Sequence, residues 1–208
     1  MASRQGHPWA TLGSTCLHLT WAQRGAVSLD GLHLQVTQNP SEAEFVLAHG
    51  TEGLGTPQGG PATPHTLEQL EAVLAQCAAR DPPPPMIVAN PDLVTVAGTE
   101  LRVMPGTLAA HYRKLGGAVF LMGKPAPVIY EAAMQQLGLP PDSLVAIGDS
   151  LEHDVGGACG GGVDSVFVGG GIHAHRAICR GELDGEGLAA LCEDYGVHPT
   201  FAMPRFCW

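Results

Sequence analysis

The pattern that most narrows the fold begins at residue 118. "AVFLMGKP" (118–125) reads as a strand, and "APVIYEAAMQQLGL" (126–139) as a helix closed by Gly138 and Pro140-Pro141. "LVAIGDS" (144–150) and "DSVFVGGG" (164–171) read as two more strands around a glycine-rich helical turn. Strands that alternate with helices form βα units and a parallel sheet. These strands are apolar on both faces, as parallel strands covered by helices are. Functional groups in such sheets collect at the carboxyl ends of the strands. Lys124, Asp149 and Gly169 to Gly171 all fall just past such ends.

The preceding half has the same materials in a looser order. "CLHLTW" (16–21) and "GLHLQV" (31–36) read as neighbouring strands, in the simplest arrangement a hairpin, and "EFVLAHG" (44–50) as a short buried strand. Residues 51–65 form a Gly/Pro/Thr loop without periodicity. "TLEQLEAVLAQCAAR" (66–80) spaces Leu67, Leu70, Val73, Leu74 and Cys77 as a helix does, with Thr66 as N-cap beside Glu68 and Gln69. "DPPPP" (81–85) stops it and leads into a strand at "MIVANPD" (86–92). A helix over 105–117 is expected to start at Thr107 and end at Gly116, and a last helix to cover 183–196. Phe206 and Trp208 read as packing residues.

A chain of 208 residues, 45% hydrophobic and 14% charged, can bury a sizeable core. Its net charge of −10 argues against a nucleic-acid surface, which needs clustered cations. A small phosphorylated ligand stays compatible, because a bound cation supplies positive charge locally. No apolar run reaches the roughly 18 residues of a membrane span, and "MASRQGHPWATLG" shows no targeting segment. The six cysteines form no CxxC pair, so they are expected to be reduced thiols of an intracellular, cytoplasmic protein.

The chemistry concentrates in "GDSLEHD" (148–154). Gly148 permits a sharp turn, and Asp149 and Asp154 can then face one crevice. Mg²⁺ takes hard oxygen ligands and usually only one or two protein carboxylates, leaving water and phosphate oxygens to complete its shell. The plainer alternative is that Asp149 caps the next helix and Asp154 sits in its first turn. Lys124 in "GKP" precedes a helix whose N-terminus attracts anions. Histidines 49, 153 and 173 lie near strand ends without a metal-ligand spacing, and the glycines at 156–162 match no nucleotide-binding motif.

In this order, "NPD" (90–92), "GKP" (123–125) and "GDSLEHD" resemble the haloacid dehalogenase superfamily, in its class IIA, NagD-like branch. The resemblance runs from about residue 16 to the end. It implies an α/β fold: residues 1–117 as a cap-like domain, and 118–208 as the C-terminal half of a Rossmann-like parallel core. It implies Mg²⁺-dependent hydrolysis of a small phosphorylated metabolite through an aspartyl-phosphate. By position, Asp149 would ligate the metal and Asp154 would ligate or orient it. Lys124 would be the catalytic cation steadying the phosphate, Ser150 would hydrogen-bond near the metal, and Asn90 and Asp92 of the cap would shape substrate choice. The family's nucleophile lies in an Asp-x-Asp-Gly motif, and the sequence has no Asp-x-Asp. Asp30-Gly31 lacks the earlier aspartate. The expectation is therefore a chain that begins inside the cap, lacks the nucleophile strand and is inactive by itself. The alternative is a non-catalytic Mg²⁺- or phosphate-binding or interaction protein. The vacant side of the "LVAIG" strand would make it a candidate homo-oligomer through an open sheet edge.

Overall fold

A computed structural model describes residues 12–207 except 24, 26, 98 and 99. The chain divides into two compact units between Gly123 and Lys124. No helix of the described residues is long and apolar enough to cross a membrane.

The N-terminal unit is built on a seven-stranded sheet. Its strands are β1 (Thr15–Thr20), β2 (Gln35–Thr37), β3 (Phe45–Ala48), β4 (Gly53–Leu54), β5 (Thr63–Pro64), β6 (Met86–Val88) and β9 (Val119–Leu121). The order is β5-β4-β1-β3-β6-β9, and β2 pairs with the lower half of the β1 edge whose upper half pairs with β4. β1 and β2 are neighbours as expected, but they run parallel and not as a hairpin. Parallel strands need a crossover of about a dozen residues, which residues 21–34 provide, whereas a tight hairpin needs about two to five. The 51–65 segment is likewise more ordered than its composition suggests, since β4 and β5 pair antiparallel within it. A second hairpin joins β7 (Val94–Ala97) to β8 (Glu100–Val103).

Helices α1 (Leu67–Ala78) and α2 (Pro105–Lys114) bring Leu70, Leu74, Leu108 and Tyr112 onto Leu17, Leu19, Val46 and Val88 of the sheet, all fully buried. α1 begins with the expected cap: Gln69 N–H donates to the Thr66 hydroxyl, and Thr66 N–H donates to the Gln69 side chain. α2 corrects the expectation. Met104 caps it and Pro105 opens it, while the Thr107 hydroxyl lies inside the helix and donates to Leu93 O at 2.7 Å. Proline at the first helical position forgoes no hydrogen bond, which moves the start two residues earlier.

The C-terminal unit carries α3 (Pro127–Leu137), β10 (Val145–Gly148), a single π turn (Leu151–Val155), α4 (Gly156–Gly161) and β11 (Asp164–Val168). It continues with α5 (Ala174–Ala177), β12 (Ile178–Cys179), β13 (Glu182–Leu183), α6 (Gly185–Tyr195) and β14 (Phe201–Met203). Gly138 and Gly196 close α3 and α6 in the left-handed conformation, and the Asp184 carboxylate caps α6. The parallel sheet is β10-β11-β14. Its register puts Ala146, Gly148, Phe167 and Ala202 on one face, and there Phe167 packs with Leu151, Val155, Ala177 and Leu191. The opposite face carries Val145, Ile147, Val166, Val168, Phe201 and Met203. It stands open: Val145 is 51% exposed, Ile147 45% and Phe201 61%. α3 contributes no buried residue at all.

Candidate metal and phosphate site

The turn after β10 is shaped by what a glycine leaves room for. A Cβ on Gly148 would lie 2.1 Å from Asp154 Cγ, so any larger residue would displace that carboxylate. The chain then leaves the strand at Asp149 and enters the π turn, whose first amide partners are supplied by Ser150. The Ser150 hydroxyl accepts from His153 N–H at 3.0 Å and lies 3.2 Å from His153 Nδ1. A π turn is wider than an α turn by one residue. Asp154 N–H donates to Ser150 O at 2.9 Å, and Asp154 Oδ2 accepts the buried Ser150 N–H at 3.0 Å.

Asp154 Oδ1 accepts from Lys124 Nζ at 2.5 Å. The carboxylate is 11% exposed and the lysine side chain 54%. Tyr130 packs over the same corner and donates its hydroxyl to Asp154 O at 3.2 Å. Burial, and then the Asp154 charge, push the Tyr130 phenol above its ordinary value. Both Asp154 oxygens are thus committed to donors of the protein.

Asp149 is placed differently. One oxygen, Oδ2, accepts from Ile172 N–H at 3.0 Å, and no described residue bonds the other. A Cβ on Gly171 would fall 2.1 Å from Oδ2, so the glycine run after β11 is what lets that loop reach the carboxylate. Asp149 opens onto a cleft of about 520 Å³ at the carboxyl ends of β10 and β11. Ile147, Gly148, Val168, Gly170, Gly171, Arg205 and Phe206 complete its lining.

Of the residues named from the sequence, Lys124 and Ser150 meet at Asp154, whereas Asp149 opens onto the cleft. Of the two carboxylates, Asp149 has the oxygen without a donor among the described residues, and the Ser150 hydroxyl turns toward His153. Asn90 and Asp92 follow β6 in the N-terminal unit. Asn90 Oδ1 accepts from Asp92 N–H at 2.9 Å, and Asp92 O accepts from Gly106 N–H at 2.9 Å, so the pair forms a turn against the start of α2.

Sequence reasoning missed β14 and the two residues it carries into the cleft. The strand Phe201–Met203 is too short for a periodic signal. Phe206, expected to pack inside, is 48% exposed and lines the cleft; Trp208 lies outside the described residues. Also missed was His18, 2% exposed on β1, whose Nε2 lies 2.9 Å from His49 Nδ1. Burial, and then His49, lower the His18 pKa to about 4. His173 is 7% exposed between Phe167 and Tyr195, and its Nε2 has no hydrogen-bond partner among the described residues. Burial lowers its pKa most, with Asp149 opposing.

A family model described as HAD-hydrolase-like matches residues 121–194, the segment that builds this site. Along the whole fold, a hydrolase of the haloacid dehalogenase-like family from Brucella suis 1330 superposes with a TM-score of 0.62 at 26% identity, covering 96% of this chain and 68% of that one. The segment that builds the site is similar to haloacid dehalogenase-like hydrolases, and the fold is that of such a hydrolase. Its fold is also that of NagD from E. coli K-12, with a TM-score of 0.63 at 18% identity over 97% of this chain and 66% of NagD. Among curated relatives, dihydroxyacetone phosphatase of Corynebacterium glutamicum is 31% identical over 95 residues, 45% of this chain. The chain spans about a third of the length of that enzyme.

Proposed function

We propose that the C-terminal unit is the metal- and phosphate-holding part of a phosphate-ester hydrolysis site, with Mg²⁺ as its ion and a small phosphorylated metabolite as its ligand. The observation that carries this reading is the division of labour between the two carboxylates. Asp154 is saturated by Lys124 and Ser150, whereas Asp149 keeps one oxygen without a protein donor at the mouth of a cleft. Among the described residues no three His, Cys, Asp or Glu side chains are grouped to hold a metal, so an all-protein cage does not fit. One available carboxylate does fit Mg²⁺, which keeps most of its shell for water and phosphate oxygens.

When bound there, the ion would offset the negative charge shared by carboxylate and phosphate. The chain's own residues would do the rest. Asp149 holds its orientation through Ile172 N–H, and Asp154 fixes the Lys124 ammonium at the end of the turn, from where it would add positive charge beside the phosphate without lining the cleft. The part played by Asn90 and Asp92 in substrate choice belongs to the same proposal. No Asp-x-Asp occurs in the 208 residues, so no family nucleophile is available and the chain by itself is expected to bind without turning over.

Titrating Mg²⁺ while following the amides of residues 148–154 by NMR tests the binding half. Shifts that vanish in Asp149→Asn support it, and an unchanged titration in that variant refutes the metal assignment. Assay with p-nitrophenyl phosphate and Mg²⁺ tests the second half. Robust turnover that Asp149→Asn removes would show that the chain supplies a nucleophile of its own.

A further inference from the structure

Among the described residues that line the cleft beside Asp149, one is a cation, and it is not Lys124. Lys124 Nζ is engaged by Asp154 and does not line the cleft. The cation is Arg205, two residues past the end of β14. Its place is set by the fold, since Gly169 N–H donates to Met203 O at 2.9 Å and ties the end of β14 to the end of β11. Directly beyond, Pro204 O passes so close to Gly170 that a Cβ there would lie 2.6 Å away. The backbone that launches Arg205 is therefore held against the cleft's glycine wall. Its guanidinium forms no ion pair among the described residues, in contrast to Arg176, which pairs with Asp194 at 2.8 Å.

We infer that Arg205 is the oxyanion-recognising residue of this cleft, holding the phosphate of the ligand opposite Asp149. The inference rests on the proposed phosphate-ester reading and names the group that would grip the anion. An ordinary surface arginine would be free as well, but Arg205 lines a cleft whose other charged lining group among the described residues is a carboxylate with an oxygen to spare. Five donors in a planar fork suit two phosphate oxygens at once, a geometry a lysine ammonium lacks. Phe206, Ile147 and Val168 then leave an apolar wall for the organic part of an ester.

The test uses the whole chain with inorganic phosphate as probe, in saturating Mg²⁺ and low salt, by calorimetry. Arg205→Ala is expected to weaken phosphate binding about tenfold or more, with Arg205→Lys recovering only part. Both variants should retain the Mg²⁺-induced shifts of residues 148–154 and the wild-type melting curve, because Arg205 is exposed and unpaired. If phosphate binds in wild type, disappears in Asp149→Asn and is unchanged in Arg205→Ala, the arginine assignment is overturned while the phosphate-site reading stands. If wild type binds Mg²⁺ but no phosphate, both are overturned.

Discussion

Replacing Asp154 by asparagine removes one charge and no heavy atoms, yet the structure predicts a loss larger than the charge alone. Two donors converge on this side chain, Lys124 Nζ on Oδ1 and Ser150 N–H on Oδ2. Asparagine has one acceptor oxygen, so its NH₂ must confront one of the donors. If it faces Ser150, a buried N–H loses its partner, at about 1–3 kcal/mol. If it faces Lys124, the ion pair is lost, worth at most about 1 kcal/mol because the lysine is half exposed and well screened. Loss of the charge weakens whichever bond survives, so the C-terminal unit should lose about 2 kcal/mol. Hydrogen exchange under native conditions reads this unit directly. Amides of β10 and β11 should exchange about 30-fold faster in Asp154→Asn, while those of β1 and β3 in the other unit stay unchanged. An exchange rate within a factor of two of wild type at β10 would refute the claim that Asp154 is what fastens the turn.

The remaining expectations are briefer. Gly148→Ala should cost about 1–3 kcal/mol in the same unit, because the new Cβ would meet Asp154; urea melts measure it, and a neutral result contradicts the packing at this turn. Acidification should destabilise the N-terminal unit: the His18 pKa is lowered to about 4, so the unfolded chain takes up the proton first. That contribution is complete above about pH 6.5 and falls away toward pH 4, by up to about 3 kcal/mol, and melts of His18→Gln should be flatter across that window. The open face of Val145, Ile147 and Phe201 beside the free edge of β10 should drive association, which Phe201→Ser reduces. Sedimentation across a concentration range decides it, and a wild-type monomer at every concentration refutes it.

Elements that announce themselves locally were readable in the sequence. The Thr66 cap, the glycine stops at 138 and 196, and the apolar runs at 45–48, 86–88 and 165–168 need only short-range rules. What was not readable depended on partners distant in the chain. Whether β2 lies parallel or antiparallel to β1 depends on where residues 21–34 find cover, which no local pattern encodes. The start of α2 turned on Leu93, fourteen residues from Thr107, offering a carbonyl to that hydroxyl. Arg205 reaches the cleft only because the three-residue β14 pairs with β11, a contact between segments more than thirty residues apart.

The two aspartates of "GDSLEHD" show how spacing can encode a difference in role between identical side chains. Asp154 lies five residues after Asp149, and the turn between them folds its carboxylate back onto Ser150 N–H. The returning carboxylate meets Ser150 N–H and Lys124 Nζ and is used up. The leading one accepts from a single amide among the described residues, that of Ile172, and glycines stand against it at 148 and 171. Under the proposed metal reading, Asp149 would supply one ligand oxygen, and Asp154 would position the Lys124 cation instead of acting as a second ligand. Any ion held there must draw the remainder of its shell from water, from the phosphate it accompanies, or from a carboxylate outside this turn.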